Sequence, residues 1–334
     1  MNPELQPLID VYGRTHTDLR IAVTDRCNVR CAYCMSSEDA HPLPHDAILS
    51  YEEIARFVAV AAPLGIRKLR LTGGEPLVRK DVTRLVAMLV AVPGIQEVAM
   101  TTNGILLAEH AAALKAAGLQ RLNISLDALS PERFCQATRR DELPRVLEGI
   151  AAARAAGFDR IKLNTVAIRG LTEEEIVPLA RFAREHDLEL RFIEFMPLDG
   201  DRQWAPERVL SGEDILAKLA AAFGPLDPVA SETPQAPARQ YRYADGGGRV
   251  GLVPAVSHPF CSDCNRLRLT ADGKLRNCLF AAEPRDVRAL LRGGGSDRQI
   301  VELIREAVAA KRMARGRDDG QFAPAGRPMY QIGG

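Results

Sequence analysis

Lys68-Leu69-Arg70-Leu71-Thr72-Gly73-Gly74-Glu75-Pro76 alternates charged and apolar side chains, then turns through a glycine pair. Two-residue spacing puts Lys68 and Arg70 on one face of a strand. A helical segment near 81–92 follows, and this strand, polar turn and helix recur along the chain. Strand-like stretches fall at Arg20–Thr24, Lys68–Thr72, Val98–Thr101, Leu122–Leu126, Ile161–Val166 and Leu190–Phe195. Helical segments lie near 51–64, 81–92, 105–117, 144–156, 173–186 and 212–223. Ser50, Thr172 and Ser211 each stand before a helix with an acid three residues on, the pattern of a capping box. Gly65, Gly118 and Gly157 end apolar helical runs, where a left-handed cap is expected.

Regular strand–helix alternation predicts parallel strands joined by right-handed crossovers. Six units are fewer than the eight of a closed barrel, so the expected fold is α/β, a partial (β/α)6 TIM-type barrel. Asp25-Arg26, Gly73-Gly74-Glu75-Pro76, Thr102-Asn103-Gly104, Ser125-Leu126-Asp127 and Glu194-Phe195-Met196-Pro197 all follow or end strands. Barrel active sites form at that carboxyl-terminal rim. The expected division is a barrel over residues 1–223 and a carboxyl-terminal extension over 224–334. Gly224–Gln240, with Pro225, Pro228, Pro234 and Pro237, reads as a linker. Beyond it come short strands at Tyr241–Tyr243 and Val250–Val253. A hairpin follows, Leu267–Thr270 and Lys274–Asn277 flanking Ala-Asp-Gly, and then helices near 284–292 and 297–313. The Gly- and Pro-rich tail from Gly316 is not expected to hold its shape alone.

The seven cysteines divide unevenly. Cys27, Cys31 and Cys34 share one short loop; Cys261, Cys264 and Cys278 form a second set of three. Cys135 is left over and reads as a buried apolar filler near a helix start. Two sets of three do not suit disulfides and point to metal. A cubane cluster takes one cysteine per iron, so three thiols leave one iron open to another ligand. For the Cys27–Cys34 set, structural zinc completed by a remote cysteine or His41 is the alternative.

Composition narrows the function. Lys and Arg number 44 against 43 acidic residues, without the basic excess of a sequence-independent nucleic-acid binder. No apolar run is long enough to span a bilayer, and the first residues lack a secretory pattern. A cytoplasmic protein with reduced thiols is expected.

The Cys27–Cys34 loop, with Tyr33 before its last cysteine, resembles the cluster loop of radical S-adenosylmethionine (SAM) enzymes. Motif order over nearly the whole chain resembles the GTP 3',8-cyclase family, the molybdenum cofactor biosynthesis protein A family. The matching segments are Leu19-Arg20, Thr24-Asp25-Arg26-Cys27-Asn28, Leu71–Leu77, Thr101–Gly104, Ile124–Asp127, Ile161–Asn164 and Arg191–Pro197. Asn265-Arg266-Leu267-Arg268 inside the second triad is the most specific match. Two departures stand out: Asp18 where an aromatic residue is expected, and Met35-Ser36-Ser37 where Met-Pro is more usual.

The resemblance implies two [4Fe–4S] clusters, on Cys27, Cys31 and Cys34 and on Cys261, Cys264 and Cys278. It implies SAM contacts from Tyr33, Gly74, Ser125 and Met196. For GTP it implies Arg20, Arg70, Thr101, Lys162, Arg266, Leu267 and Arg268, with Lys68 and Arg191 as additional cations. The first cysteine triad, Arg266, Arg268 and the terminal Gly333-Gly334 are implied to be catalytic. The implied reaction abstracts the ribose C3' hydrogen with a 5'-deoxyadenosyl radical, and the C3' radical attacks guanine C8. Implied partners are a reducing electron donor and a downstream cyclic pyranopterin monophosphate synthase, with the chain a monomer or homodimer. A peptide-modifying radical SAM enzyme with an auxiliary-cluster domain is the enzymatic rival, and a zinc-stabilised interaction protein the non-catalytic one.

Overall fold

The computed structural model describes residues 6–36, 41–231, 235–281, 283–313 and 327–333. Six parallel strands run β1 (Asp18–Ala22), β2 (Lys68–Thr72), β3 (Glu97–Thr102), β4 (Arg121–Ser125), β5 (Ile161–Ala167) and β6 (Glu189–Glu194), side by side in chain order. The intervening helices include α1 (Tyr51–Ala61), α2 (Val82–Val90), α3 (Leu107–Ala116), α4 (Pro131–Thr138), α5 (Leu143–Ala155) and α6 (Ile176–Glu185), with α7 (Gly212–Phe223) after β6. The expected strands and helices all form, and α4 is an addition to them.

Side-chain alternation divides the sheet into two chemical faces. Leu19, Ile21, Leu69, Leu71, Val98, Met100, Leu122, Ile124, Leu163, Leu190 and Phe192 join the core beneath the helices. Burying each such side chain fully stabilises the fold by about 1.5–3 kcal/mol before entropic costs. The intervening positions, Arg20, Arg70, Thr101, Asn123, Ser125, Lys162, Asn164 and Arg191, belong to the other face. That face forms the barrel interior, and it is polar.

The carboxyl-terminal segment adds strands to both edges of the same sheet. β7 (Leu226–Val229), β8 (Arg239–Tyr243) and β9 (Arg249–Val253) form an antiparallel run whose β9 pairs parallel to β6. On the opposite edge β10 (Arg266–Leu269) pairs parallel to β1, followed by β11 (Lys274–Arg276) and β12 (Arg285–Asp286). The Gly224–Gln240 stretch is therefore not only a linker. It contains β7, where Pro228 is tolerated because β7 is the outermost strand and owes no ladder bond on its free side. Helices α8 (Val287–Arg292) and α9 (Asp297–Ala309) follow, and α10 (Met329–Ile332) closes the described chain.

Helix ends follow local chemistry. Ser50 and Ser211 make reciprocal capping boxes with Glu53 and Asp214. Gly65, Gly118 and Gly157 adopt left-handed φ of 107°, 93° and 80°. Thr172 does not cap: its hydroxyl donates to the Val166 carbonyl and accepts from the Ile168 amide. Glu175, expected to reciprocate, instead accepts from the Leu129 amide at the foot of α4. Cys135 also departs from expectation. It is exposed on α4, whose buried face is Phe134, Ala137 and Thr138.

Candidate active site

The first triad lies on the loop after β1, and three neighbouring elements fix that loop. Helix α4 meets it at its C-terminus, where the Arg30 and Ala32 amides donate to the Thr138 and Ala137 carbonyls at 3.0 and 2.9 Å. Arg139, with φ 58°, reaches back to the Arg30 and Met35 carbonyls. The turn after β2 supports the loop from beneath: Gly74 and Glu75 donate to the Thr24 and Arg26 carbonyls at 2.7 and 2.8 Å. A β-carbon on Gly74 would sit 2.2 Å from the Arg26 carbonyl oxygen, so only glycine fits this crossing. The third support is buried Glu75, whose carboxylate accepts from the Leu77 amide, the Thr102 hydroxyl and the Asn103 amide. Asn103 in turn directs its side-chain amide to Cys27 Sγ at 3.9 Å and to Asn28.

Acidic groups surround this triad. Burial, then Glu75, push the Cys27 thiol up to about 12, and burial, then Cys27, push Cys34 up to about 12. Burial also raises the Cys31 thiol well above its usual value, with Asp127 adding to it. Tyr33 donates its hydroxyl to Asp127 at 2.6 Å. Buried thiols with mutual repulsion and no cation ionise only when a metal supplies the positive charge.

The second triad is placed in the opposite field. Cys261 opens a short 3-10 turn before β10, and Cys278 follows β11. Buried Arg14 donates to the Cys261 carbonyl at 2.6 Å and is held by Asp10 at 2.6 Å. Asn277 donates to the Ala307 carbonyl at the end of α9. Buried Lys311 lies 3.4 Å from Cys264 Sγ. Burial opposes ionisation of Cys264, yet Arg266 and Lys311 outweigh it and bring the thiol down to about 6.

Among the described residues no three His, Cys, Asp or Glu side chains are grouped to hold a single metal ion. Each triad is nonetheless a mutually interacting set of thiols. Tetrahedral zinc requires donors converging on one point. A cubane spreads its cysteines over separate irons, which suits thiols that are near but not convergent.

One cavity of about 210 Å³ runs between residues that neighbour the two triads. Tyr33 lines it from beside Cys34, Phe260 from beside Cys261 and Leu279 from beside Cys278. Arg20, Arg70, Thr101, Ser125, Arg191, Met196, Arg266 and Arg268 line it as well. Strand register explains the arginines: Arg268, Arg20 and Arg70 are direct neighbours across β10, β1 and β2. Burial and then Arg268 hold Arg20 well below its usual value, and burial and then Arg266 bring Arg268 to about 9. Nε and Nη2 of Arg266 are buried without a hydrogen-bond partner, and its guanidinium lies 4.5 Å from the Phe260 ring centre. No carboxylate forms an ion pair with these four arginines among the described residues. Such a row is costly unless an anion joins it.

Other sequence-predicted residues fall elsewhere. Lys68 is exposed and lines a smaller recess with Asp18, Arg20, Arg70 and Arg121. Lys162 pairs with Glu189 at 2.7 Å, and Glu189 also accepts from Arg191 at 2.6 Å. Leu267 is buried in the core on the sheet's opposite face, since it alternates with Arg266 and Arg268. Gly74 crosses under the Arg26 carbonyl and is not among the residues that line the cavity. Met35 is buried and Ser36 packs near Gly200, while Ser37 lies outside the described residues.

The chain's end enters the barrel. Ile332 is fully buried, and the Gly333 carbonyl accepts from Arg268 Nη1. Gly333 has φ 88°, and a β-carbon there would lie 2.7 Å from Thr72 Oγ1. The Tyr330 backbone amide faces Cys34. Gly334 and most of the tail from Gly316 lie outside the described residues.

Sequence reasoning missed several residues that organise the site. Arg139 and Asn103 brace the first triad, Arg14 and Lys311 the second. Glu194, quoted only as a strand end, accepts from the Gly212, Val256 and Ser257 amides and the Ser257 hydroxyl. It thereby ties β6 to the loop that leads to Cys261. A buried acid followed by cavity-lining Phe195 and Met196 was the available signal.

Comparison with known proteins agrees with this arrangement. Residues 21–183 match the radical SAM superfamily model, and residues 188–316 match the model described as Molybdenum Cofactor Synthesis C. A GTP 3',8-cyclase of Rhodopirellula baltica is 49% identical over 98% of this chain and 92% of that protein. The Streptomyces coelicolor GTP 3',8-cyclase is 46% identical over 98% of this chain and 96% of that protein. Streptococcus suis SuiB bound to S-adenosylmethionine shares the fold, with a TM-score of 0.60 at 14% identity over 86% of this chain and 67% of SuiB. On identity of this extent over nearly its full length, the chain belongs to the GTP 3',8-cyclase family of radical SAM enzymes.

Proposed function

We propose that this chain is a GTP 3',8-cyclase that converts GTP into (8S)-3',8-cyclo-7,8-dihydroguanosine 5'-triphosphate, the first step of molybdopterin biosynthesis. The family relationship supports the activity, and one structural observation carries its assignment to this cavity. The Arg268–Arg20–Arg70 row, in which Arg268 is buried and the others half-buried, has no carboxylate partner among the described residues and shares a single cavity with neighbours of both cysteine triads. When bound, the first cluster and SAM supply a 5'-deoxyadenosyl radical able to take the C3' hydrogen of GTP.

The protein's own residues bind, orient and enclose. Cys27, Cys31 and Cys34 would hold the first [4Fe–4S] cluster, and Tyr33, Ser125 and Met196 would border SAM in the same cavity. Gly74 lets the β2 turn pass directly under the Arg26 carbonyl, keeping the cluster loop in register with that cavity. Cys261, Cys264 and Cys278 would hold the second cluster beside the guanine base. Arg20, Arg70, Arg266 and Arg268 would neutralise the triphosphate through paired hydrogen bonds, while Arg191 across the cavity is engaged by Glu189 and would join them only by leaving it. Thr101 adds a hydroxyl. Lys162 is engaged by Glu189 and would reach phosphate only by leaving it; Lys68 borders the outer recess. Gly333 is held by Arg268 within the barrel, where it would help to enclose the site against water. Fixed placement and exclusion of water are what a barrel contributes to radical chemistry.

In this reading residues 1–223 form the barrel that would hold the first cluster and SAM, residues 224–334 would hold the second cluster, and the nucleotide would be bound by residues of both. A cytoplasmic reductant would supply electrons, and a cyclic pyranopterin monophosphate synthase would consume the product; the chain would act as a monomer or homodimer. No helix among the described residues is long and apolar enough to cross a membrane. The test is anaerobic incubation of the iron- and sulfide-loaded protein with SAM, dithionite and GTP. The expected product is isomeric with GTP and forms together with 5'-deoxyadenosine. SAM cleavage with GTP recovered unchanged would contradict the proposal.

A further inference from the structure

Lys311 follows helix α9 and is only 4% exposed. Lysine is almost never this buried unless something compensates its charge. No carboxylate pairs with it among the described residues. Its Nζ lies 3.4 Å from Cys264 Sγ and 3.0 Å from the Arg266 carbonyl oxygen. Cationic Arg14 is also near, and fully buried His16 on the same side has no hydrogen-bond partner at Nδ1. Sulfur is therefore the group in this environment that can answer the ammonium charge.

The end of α9 is fixed in this position. The Lys311 amide donates to the Val308 carbonyl, and Asn277, beside Cys278, donates to the Ala307 carbonyl at 2.7 Å. One helix terminus thus touches both arms of the second triad, Cys278 through Asn277 and Cys264 through Lys311. At the first triad the side-chain donors are neutral, the Asn103 amide 3.9 Å from Cys27 Sγ and the Tyr33 hydroxyl at Cys31, with the Glu75 and Asp127 carboxyls close by.

We propose that Lys311 sets the reduction potential of the second cluster by donating its ammonium to Sγ of Cys264, held in place by a further bond to the Arg266 carbonyl. The inference rests on the reading that Cys261, Cys264 and Cys278 hold an iron–sulfur cluster. An electron taken from an external reductant adds one negative charge to such a cluster. A cation hydrogen-bonded to a ligand sulfur favours that reduced state, by Coulomb attraction and by withdrawing charge from the sulfur. Lys311 therefore raises the second cluster's potential above what the same three thiols would give without it. Lys311 acts through the cluster's ligand and is a positioning residue, not a catalytic one.

The experiment is a dithionite redox titration of the loaded full-length protein, followed by electron paramagnetic resonance. A full-length chain carrying Cys27→Ala, Cys31→Ala and Cys34→Ala assigns which signal belongs to the second cluster. Lys311→Met should shift that signal's midpoint to more negative potential and leave the first cluster's midpoint unmoved. Lys311→Arg, which keeps a cationic donor, should restore most of the shift. Identical midpoints in wild type and Lys311→Met overturn the proposal. Should Lys311→Met not hold the second cluster, Lys311→Gln, which keeps a donor and loses only the charge, decides in the same way. A wild-type chain that binds zinc at the second triad overturns the cluster reading and the role of Lys311 together. One that binds iron with a midpoint indifferent to residue 311 overturns the role alone.

Discussion

Each triad has neighbouring residues in the wall of one cavity, yet the protein surrounds the two sets of thiols with opposite charge. The first is bordered by Glu75 and Asp127, whose carboxyls burial raises to about 7 and about 6. The second is bordered by Arg14, Arg266 and Lys311. The ligands differ in the same sense. SAM carries a net positive charge from its sulfonium and ammonium, whereas GTP is strongly anionic. Matching fields at the two ends of one cavity would keep each ligand at its own cluster. Each half also has an organising acid: Glu75 ties the first cysteine loop to β2 and β3, and Glu194 ties β6 to the loop before Cys261.

The largest expected effect tests whether the two centres are separable. Cys27→Ala, Cys31→Ala or Cys34→Ala should halve the iron content and abolish SAM cleavage. Cys261→Ala or Cys278→Ala should also halve the iron, but leave SAM cleavage without cyclised product. A single substitution that empties both triads in a folded protein would break the comparison. Deleting Gly333 and Gly334 should come next: both clusters and GTP binding persist, while cyclised product is lost. Full product formation by the truncated chain would make the Arg268–Gly333 contact a packing detail.

Smaller effects sharpen the contrast in charge. Arg70→Ala, Arg266→Ala and Arg268→Ala should each weaken GTP binding by about 1.5–3 kcal/mol, roughly ten- to a hundredfold. SAM affinity should hold steady in the same titrations; equal losses for both ligands would mean the fields are not ligand-specific. Gly74→Ala should cost about 1–3 kcal/mol in thermal unfolding by overpacking, and should deplete iron from the first triad alone. Iron lost equally from both would show the β2 turn to be a general scaffold. Cys135→Ser, on exposed α4 surface, should change stability by less than about 0.5 kcal/mol and leave iron content unchanged.

Much of this was legible because period-two alternation and strand-end motifs are local signals. β2 matches its expected Lys68–Thr72 bounds, and the other barrel strands fall within two residues of theirs. Helix α4 was not legible from apolar periodicity: it has eight residues and buries only Phe134, Ala137 and Thr138. Ser130 before Pro131 was its remaining sign, a capping hydroxyl followed by proline in the first turn. The braces of the second triad were hidden for another reason. Arg14 reaches Cys261 across 247 residues, and an arginine or lysine in an unpaired sequence reads as solvated until the fold buries it. Strand alternation turns the Leu267 side chain towards the core between two cavity arginines, so any contact it makes with nucleotide would be through its backbone.

Deuterium at ribose C3' of GTP tests the central claim most directly, because the label must pass between the two ends of the cavity. In the loaded wild-type protein with SAM and dithionite, deuterium should appear in 5'-deoxyadenosine as cyclised product forms. In Cys261→Ala, 5'-deoxyadenosine should still form and carry no label. Unlabelled 5'-deoxyadenosine from the wild-type protein during product formation, or labelled 5'-deoxyadenosine from Cys261→Ala at the wild-type rate, would contradict an account in which the second triad holds the nucleotide for chemistry begun at the first.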